Sequence, residues 1–396
     1  MKINYLIIGG GIAAGAAAIK IREIDKVNSI MILSSEPHFP YHRPPLTKDL
    51  WTNKKTAEGI FLKDRNFYQK NDILISIENP AVSVDTKNKE VKTKSGEVIS
   101  YQRLLIATGG SPKKLSLPGS DIPEICYYRY LNDYINIRSL CDQNKKAVVI
   151  GGSFIGSEIS ASLSSIGVST TMIFPGPYIC HHLLPSDLGG SMMRTYKERG
   201  VRVDNEDAPV AFVKKNGKTS VLTKKGFSFE ADILIAGIGI VPNSSISANA
   251  GLHVTNGIIV DQYLCTSDPD IFAAGDVALF PFNALNRHLR VEHWDNAINQ
   301  GYYAGNNMVS AEKQPYTYIP YFFSDFFEFG YEAVGDVNSE LEIFSDWNEP
   351  FTSGVLYYLS ENYVKGILLW NIWNKKEDAK KLIGQKVTHA DLKHAL

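Results

Sequence analysis

The chain has 396 residues, 44% of them hydrophobic and 21% charged, with a formal net charge of −1. That length implies two or three domains, and the near-neutral balance leaves no global basic field for nucleic acid or an anionic membrane. No apolar run reaches the roughly 20 residues of a membrane helix and no signal peptide is visible, so the expectation is a soluble cytoplasmic protein.

Ile3–Ile8 reads as a parallel strand covered on both faces. Gly9-Gly10-Gly11-Ile12-Ala13-Ala14 follows, then an alanine-rich helix over Ile12–Ile21 and a strand over Ser29–Leu33. A strand, a tight turn and a helix form the unit that holds a pyrophosphate, because N–H groups and the helix dipole face the phosphates. Ala14 fills the third fingerprint position, which the rule permits. The carboxylate expected for the adenosine ribose has Glu36 as its candidate, one residue late, with a solvated loop glutamate as the alternative. A loop rich in proline and aromatics spans Pro37–Pro45; Pro44-Pro45 can start a helix but not lie inside one, which puts Lys48 in a first turn. Leu104-Leu105-Ile106-Ala107-Thr108-Gly109 is an apolar strand closed by small residues, where backbone can approach a cofactor.

A second series begins near Lys146: strand Ala147–Ile150, turn Gly151-Gly152-Ser153-Phe154-Ile155-Gly156, helix Phe154–Ile166 and strand Ser169–Phe174. Two such turns suggest two dinucleotides, and the chemistry that needs both is hydride transfer between a nicotinamide and a flavin. The second turn is the weaker. Ser153 replaces a glycine, and its hydroxyl either bonds a phosphate or crowds it. The strand ends Phe174-Pro175-Gly176-Pro177, with no acid for a ribose 2′-hydroxyl and no Arg or Lys for a 2′-phosphate, so NADH and NADPH both stay open, NADH slightly favoured. Glu158 reads as opening the helix, where the dipole favours a carboxylate. Asp232–Gly239 resembles the Leu104 strand, and Ala273-Ala274-Gly275-Asp276 places an aspartate where a flavin ribitol hydroxyl would be its partner.

Beyond Pro315 the expected strands are Tyr316–Tyr321, Phe326–Ala333, Glu340–Phe344, Gly354–Leu359 and Tyr363–Leu369, before a helix from Lys376. The fold class is therefore α/β, with two Rossmann-like dinucleotide-binding domains and a C-terminal α+β interface domain. The expected boundaries are 1–117 with 243–312 for the FAD-binding domain, 118–242 for the NAD(P)H-binding domain and 313–396 for the C-terminal domain.

The order of these motifs resembles the FAD-dependent pyridine nucleotide oxidoreductases, and among them apoptosis-inducing factor and the ferredoxin reductases. The segments that carry the likeness are Pro40-Tyr41-His42-Arg43-Pro44-Pro45-Leu46-Thr47-Lys48-Asp49-Leu50-Trp51, Phe154-Ile155-Gly156-Ser157-Glu158, Arg290-Val291-Glu292-His293, Gly330–Gly335 and Gly366–Ile372. The resemblance implies a glutathione-reductase-like core that binds FAD and takes NADH or NADPH as cosubstrate. It implies Gly9, Gly11, Ala14, Glu36, Arg43, Lys48, Val82, Ala107, Thr108, Gly109, Asp276, Glu292, His293, Trp294 and Phe323 around FAD. Around the nicotinamide nucleotide it implies Gly152, Ser153, Phe154, Ile155, Glu158, Gly239 and Glu332. Lys48 and Glu158 are the implied catalytic pair, with the lysine under the flavin N5 edge, where it would stabilise negative charge on reduced flavin. Phe154 would cover the isoalloxazine until nicotinamide displaces it, and Glu332 would lie near the nicotinamide amide. Phe323 would close the flavin pocket where the apoptosis-inducing factor pattern has tryptophan.

The four cysteines, Cys126, Cys141, Cys180 and Cys265, make no CxxC, CxxxxC or metal spacing. Neither a disulfide relay nor a metal site is expected, so electrons leave for an external acceptor. The first reading is a small carrier such as ferredoxin or rubredoxin, with Lys48, Arg287 and Arg290 as candidate docking charges. Quinone or oxygen reduction, and a slow-turnover redox sensor, are the alternatives. A homodimer is left open.

Overall fold

The computed structural model describes residues 1–215 and 217–396. The chain divides into two compact units, one of Met1–His42, Glu58–Ser111 and Val241–Pro320, the other of Arg43–Ala57, Pro112–Ile240 and Tyr321–Leu396.

In the first unit the strand Lys2–Ile8 lies between Ile30–Leu33 and Val98–Ile106, parallel to both, and Ile73–Ser76 extends the parallel set. Its residues Leu6 and Ile7 are fully buried, each side chain contributing about 1.5–3 kcal/mol of transfer free energy. Val98–Ile106 forks: its first half pairs antiparallel with Glu90–Thr93, and its last three residues pair parallel with Ile271–Ala273. The fork brings the segments after Ile8, Ile106 and Ala273 to one edge of the sheet, the carboxyl edge where open α/β sheets bind ligands. The first helix runs Ile12–Ile24, a turn longer than its apolar pattern suggested. Its alanines serve a helix–helix crossing as well as the sheet: a Cβ at Gly301 would overlap the Ala13 carbonyl, and one at Gly305 would come within 2.6 Å of the Ala17 carbonyl, so helix Trp294–Val309 approaches closely.

In the second unit a parallel sheet has the order Arg202–Asn205, Ser169–Phe174, Lys146–Ile150, Ile233–Ala236, Ile125–Cys126. A three-stranded sheet, Pro209–Lys215 with Lys218–Thr223 and Ser228–Ala231, was not read from the sequence. The C-terminal sheet is antiparallel, in the order Tyr321–Phe326, Phe329–Gly335, Tyr363–Trp370, Ser353–Ser360, Glu342–Glu349. Met172, Phe174, Leu188 and Tyr196 share one apolar cluster with Tyr331, Leu356, Leu368 and Trp370. The middle and C-terminal segments each keep their own sheet, and we retain the three-domain division as a proposal.

Three local expectations change. Tyr316–Pro320 is not a strand: Tyr316 is held in the first unit by its amide to the Gln262 carbonyl at 2.6 Å and its hydroxyl to Asn296 at 2.9 Å, between Pro315 and Pro320. The strand starts at Tyr321 and reverses through Phe327 at φ 52. Pro44–Thr47 forms only a 3₁₀ turn, with Lys48 just past its end. Glu158 is the fifth residue of helix Phe154–Ser165 rather than its opening, which turns it onto the buried face.

Candidate active site

In the first unit Gly9 has φ +117, and a Cβ there would overlap the Ala107 carbonyl, so the first turn and Ala107-Thr108-Gly109 are in direct contact. A Cβ at Gly10 would overlap the Ser34 side chain, whereas one at Gly11 meets nothing within 4 Å. Ala14 is fully buried behind them. Gly11 caps the helix with no side-chain bond, and the first turn holds no acid, which leaves its N–H groups to an anion. Glu36 is not merely a solvated loop residue: its carboxylate accepts the Tyr41 hydroxyl at 2.6 Å, and its amide donates to Ser34 Oγ at 3.1 Å. Asn243 clamps the Ala-Thr-Gly segment: its carbonyl accepts Thr108 Oγ1 at 2.7 Å, its amide donates to the Gly109 carbonyl at 2.9 Å and its Nδ2 to the Thr108 carbonyl at 3.0 Å.

Gly275, at φ +82, donates its amide to Gln300 Oε1 at 2.8 Å, and Asp276 follows at the sheet edge, half-buried. Arg290 donates to the Asp276 carbonyl at 3.1 Å and pairs with Glu292 at 2.7 Å. His293 is the N-terminal cap of helix Trp294–Val309, and burial pushes its imidazole down to about 4, with Asp276 acting in the opposite direction. Trp294 Nε1 donates to His42 Nδ1 at 2.9 Å. Val82 is an exposed residue at a register shift in strand Ala81–Asp85.

The second unit holds the other turn. A Cβ at Gly151 would overlap the Gly237 carbonyl, at Gly152 the Phe174 ring and at Gly156 the Gly151 carbonyl, so every glycine is required by a close approach. Ser153 caps helix Phe154–Ser165 without a side-chain cap bond, and its Oγ lies 3.2 Å from His182 Nε2. Phe154 packs edge-on against Phe322 with ring centres 5.4 Å apart, and Ile155 lies against Gly237. Gly239 is at φ +93 beside Lys113. Where a ribose acid is missing, the backbone of Glu206 lies alongside, its amide donating to the Gly176 carbonyl at 3.0 Å.

Arg43 donates to the Arg129 carbonyl at 2.8 Å and lies 5.2 Å from the Tyr130 ring centre. Lys48 Nζ is 3.1 Å from Glu158 Oε1, 3.5 Å from Asp325 and 4.2 Å from the centre of the Phe323 ring. Phe323 faces Glu332 across the hairpin. Burial raises the Glu332 carboxyl above its ordinary range against the opposing pull of Lys376, and its buried Oε2 has no hydrogen-bond partner. An orphaned acceptor of this kind fits an amide donor. The cysteines are free, and burial raises all four thiols, Cys126 and Cys180 to about 12. At that value neither supplies a thiolate near neutral pH.

The family model described as "Pyridine nucleotide-disulphide oxidoreductase" matches residues 3–301. The chain is 33% identical over 426 residues to apoptosis-inducing factor 1, mitochondrial, of Dictyostelium discoideum, covering 99% of this chain and 80% of that one. It is 30% identical over 361 residues to the rubredoxin-NAD(+) reductase of Pseudomonas putida, covering 91% and 94%. Other relatives are named monodehydroascorbate reductases. Among solved structures, the ferredoxin reductase for the CYP199A2 system from Rhodopseudomonas palustris superposes with a TM-score of 0.92 at 26% identity, over 98% of this chain and 96% of that one. The chain belongs to the pyridine nucleotide-disulphide oxidoreductase family. It is an FAD-dependent NAD(P)H oxidoreductase, and the helix N-terminus at Gly11, with no side-chain cap and no acid in its first turn, fits the pyrophosphate of a nucleotide. Among the described residues no helix is long and apolar enough to cross a membrane.

Proposed function

We propose that this enzyme carries electrons from NAD(P)H to a small electron-carrier protein of the ferredoxin or rubredoxin class. Bound FAD supplies acceptance of hydride at N5 and release of electrons to the acceptor. The chain's own part is to orient and to place charge. The turn at Gly152-Ser153 holds the pyrophosphate of the nicotinamide nucleotide, and the free Glu332 oxygen receives its carboxamide. Lys48 supplies a positive charge at the reacting edge, and Glu158 keeps that charge in place.

The observation that carries this reading is the buried Lys48–Glu158 pair beside Phe323, in a unit whose cysteines are kept protonated by burial. Because the four cysteines are free and make no CxxxxC spacing, electrons in this reading pass directly to an external acceptor. The carrier class is supported by relatives named rubredoxin reductase and ferredoxin reductase. The test is NADH-dependent reduction of an added ferredoxin or rubredoxin under anaerobic conditions. Carrier reduction at the flavin turnover rate supports it. Turnover only with a quinone, oxygen or monodehydroascorbate, and none with carriers, overturns it. A slow-turnover redox sensor is a second reading, favoured by the engagement of Ser153 with His182 where a glycine would leave the phosphate turn open.

A further inference from the structure

We propose that Thr47 and Ser324 are positioning residues for Lys48, acting through Glu158. The Glu158 carboxylate is almost enclosed, at 7% exposure, and both of its oxygens are engaged by hydroxyl donors. Thr47 Oγ1 donates to Oε2 at 2.5 Å, and Ser324 Oγ donates to Oε1 at 2.6 Å, the oxygen that also faces Lys48. Two hydroxyls and an ammonium thus occupy the carboxylate's acceptor positions. A buried ion pair recovers its desolvation cost only when the remaining lone pairs are satisfied. The two hydroxyls supply that satisfaction.

Their places in the chain explain why they act on Lys48. Thr47 immediately precedes it. Ser324 lies between Phe323 and Asp325, the ring and the carboxylate that Lys48 also touches. Ser162, one helical turn after Glu158, donates its hydroxyl to the Thr47 carbonyl at 2.6 Å. Helix Phe154–Ser165 therefore grips Thr47 at both ends, by hydroxyl and by carbonyl, and fixes the backbone from which Lys48 departs. The helix that begins at the nicotinamide-nucleotide turn is thus rigidly joined to the residue that carries the charge.

The inference rests on the proposed role of Lys48 beside the flavin. It is tested by the midpoint potential of bound FAD, measured by dye equilibration, with the dissociation constant for NADH as a second readout. Charge near the flavin sets that potential, whereas a purely structural substitution leaves it unmoved once FAD is bound. T47V and S324A are each expected to move it in the negative direction, by less than K48A does, with NADH binding within about twofold of the parent. T47S, which keeps the hydroxyl, is expected to match the parent. Parent-like potentials in T47V and S324A beside a shifted K48A overturn the inference and leave the role of Lys48 standing. A parent-like potential in K48A overturns both.

Discussion

The Lys48 ammonium and the Glu158 carboxylate face each other at 3.1 Å, with side chains only 11% and 8% exposed. Breaking such a pair costs differently on its two sides. On the role proposed for Lys48, K48A removes charge from the reacting edge and is expected to slow anaerobic flavin reduction by about 100-fold while FAD stays bound. E158A leaves the Lys48 ammonium only the more exposed Asp325 at 3.5 Å and strips two hydroxyls of their acceptor, and is expected to lower unfolding free energy by about 1–3 kcal/mol. Stopped-flow absorbance checks the first, and thermal unfolding checks the second.

Glycines of the first turn differ in what they serve. A Cβ at Gly9 overlaps backbone, while a Cβ at Gly11 meets no protein atom within 4 Å. G9A is expected to fold poorly. G11A is expected to fold with the parent's apoprotein melting temperature and to bind FAD at least tenfold more weakly, because the proposed reading gives the space it fills to the FAD phosphates. FAD titration of refolded apoprotein checks this; equal loss of stability in both variants would contradict it.

His293 predicts an acid limb of stability. Its imidazole is held near 4 by burial, below the ordinary 6.5. Above 6.5 it is neutral folded and unfolded. As pH falls toward 4 the unfolded chain takes up the proton first, so folding stability declines through that window. H293Q is expected to flatten this part of the pH dependence, by a few degrees in Tm. Calorimetry from pH 7.5 to 4.5 checks it.

Glu332 presents a buried oxygen without a hydrogen-bond partner. E332A is expected to weaken NADH binding about tenfold, the cost of one hydrogen bond to a charged group, and to leave FAD content unchanged. Fluorescence titration with NADH measures the first quantity and the flavin absorbance ratio the second.

Much of this was legible because glycine turns and strand ends are local signals. Gly9, Gly152 and Asp276 could be placed from their neighbours in the chain. What escaped depended on chain separations no pattern reveals. Thr47 and Ser324 meet at Glu158 across 111 and 166 residues, and each reads alone as an ordinary polar residue. Asn243 clamps Thr108 from 135 residues away. Tyr316–Pro320 misled because its aromatics suit a strand, yet Tyr316 is spent on side-chain and backbone bonds to the first unit. The sheet of Pro209–Lys215, Lys218–Thr223 and Ser228–Ala231 was missed because its short antiparallel strands fall outside the alternating strand–helix series, although Phe212, Val221 and Phe229 pack with Val148 and Ile150 of the parallel sheet.

The most direct measurement is anaerobic stopped-flow mixing of the FAD-loaded protein with NADH and, separately, with NADPH, following flavin absorbance. Bleaching within seconds with at least one nucleotide, slowed in K48A, is the expected result. Flavin that stays oxidised with both nucleotides, or that bleaches equally fast in K48A, would contradict the role assigned to the Lys48–Glu158 pair.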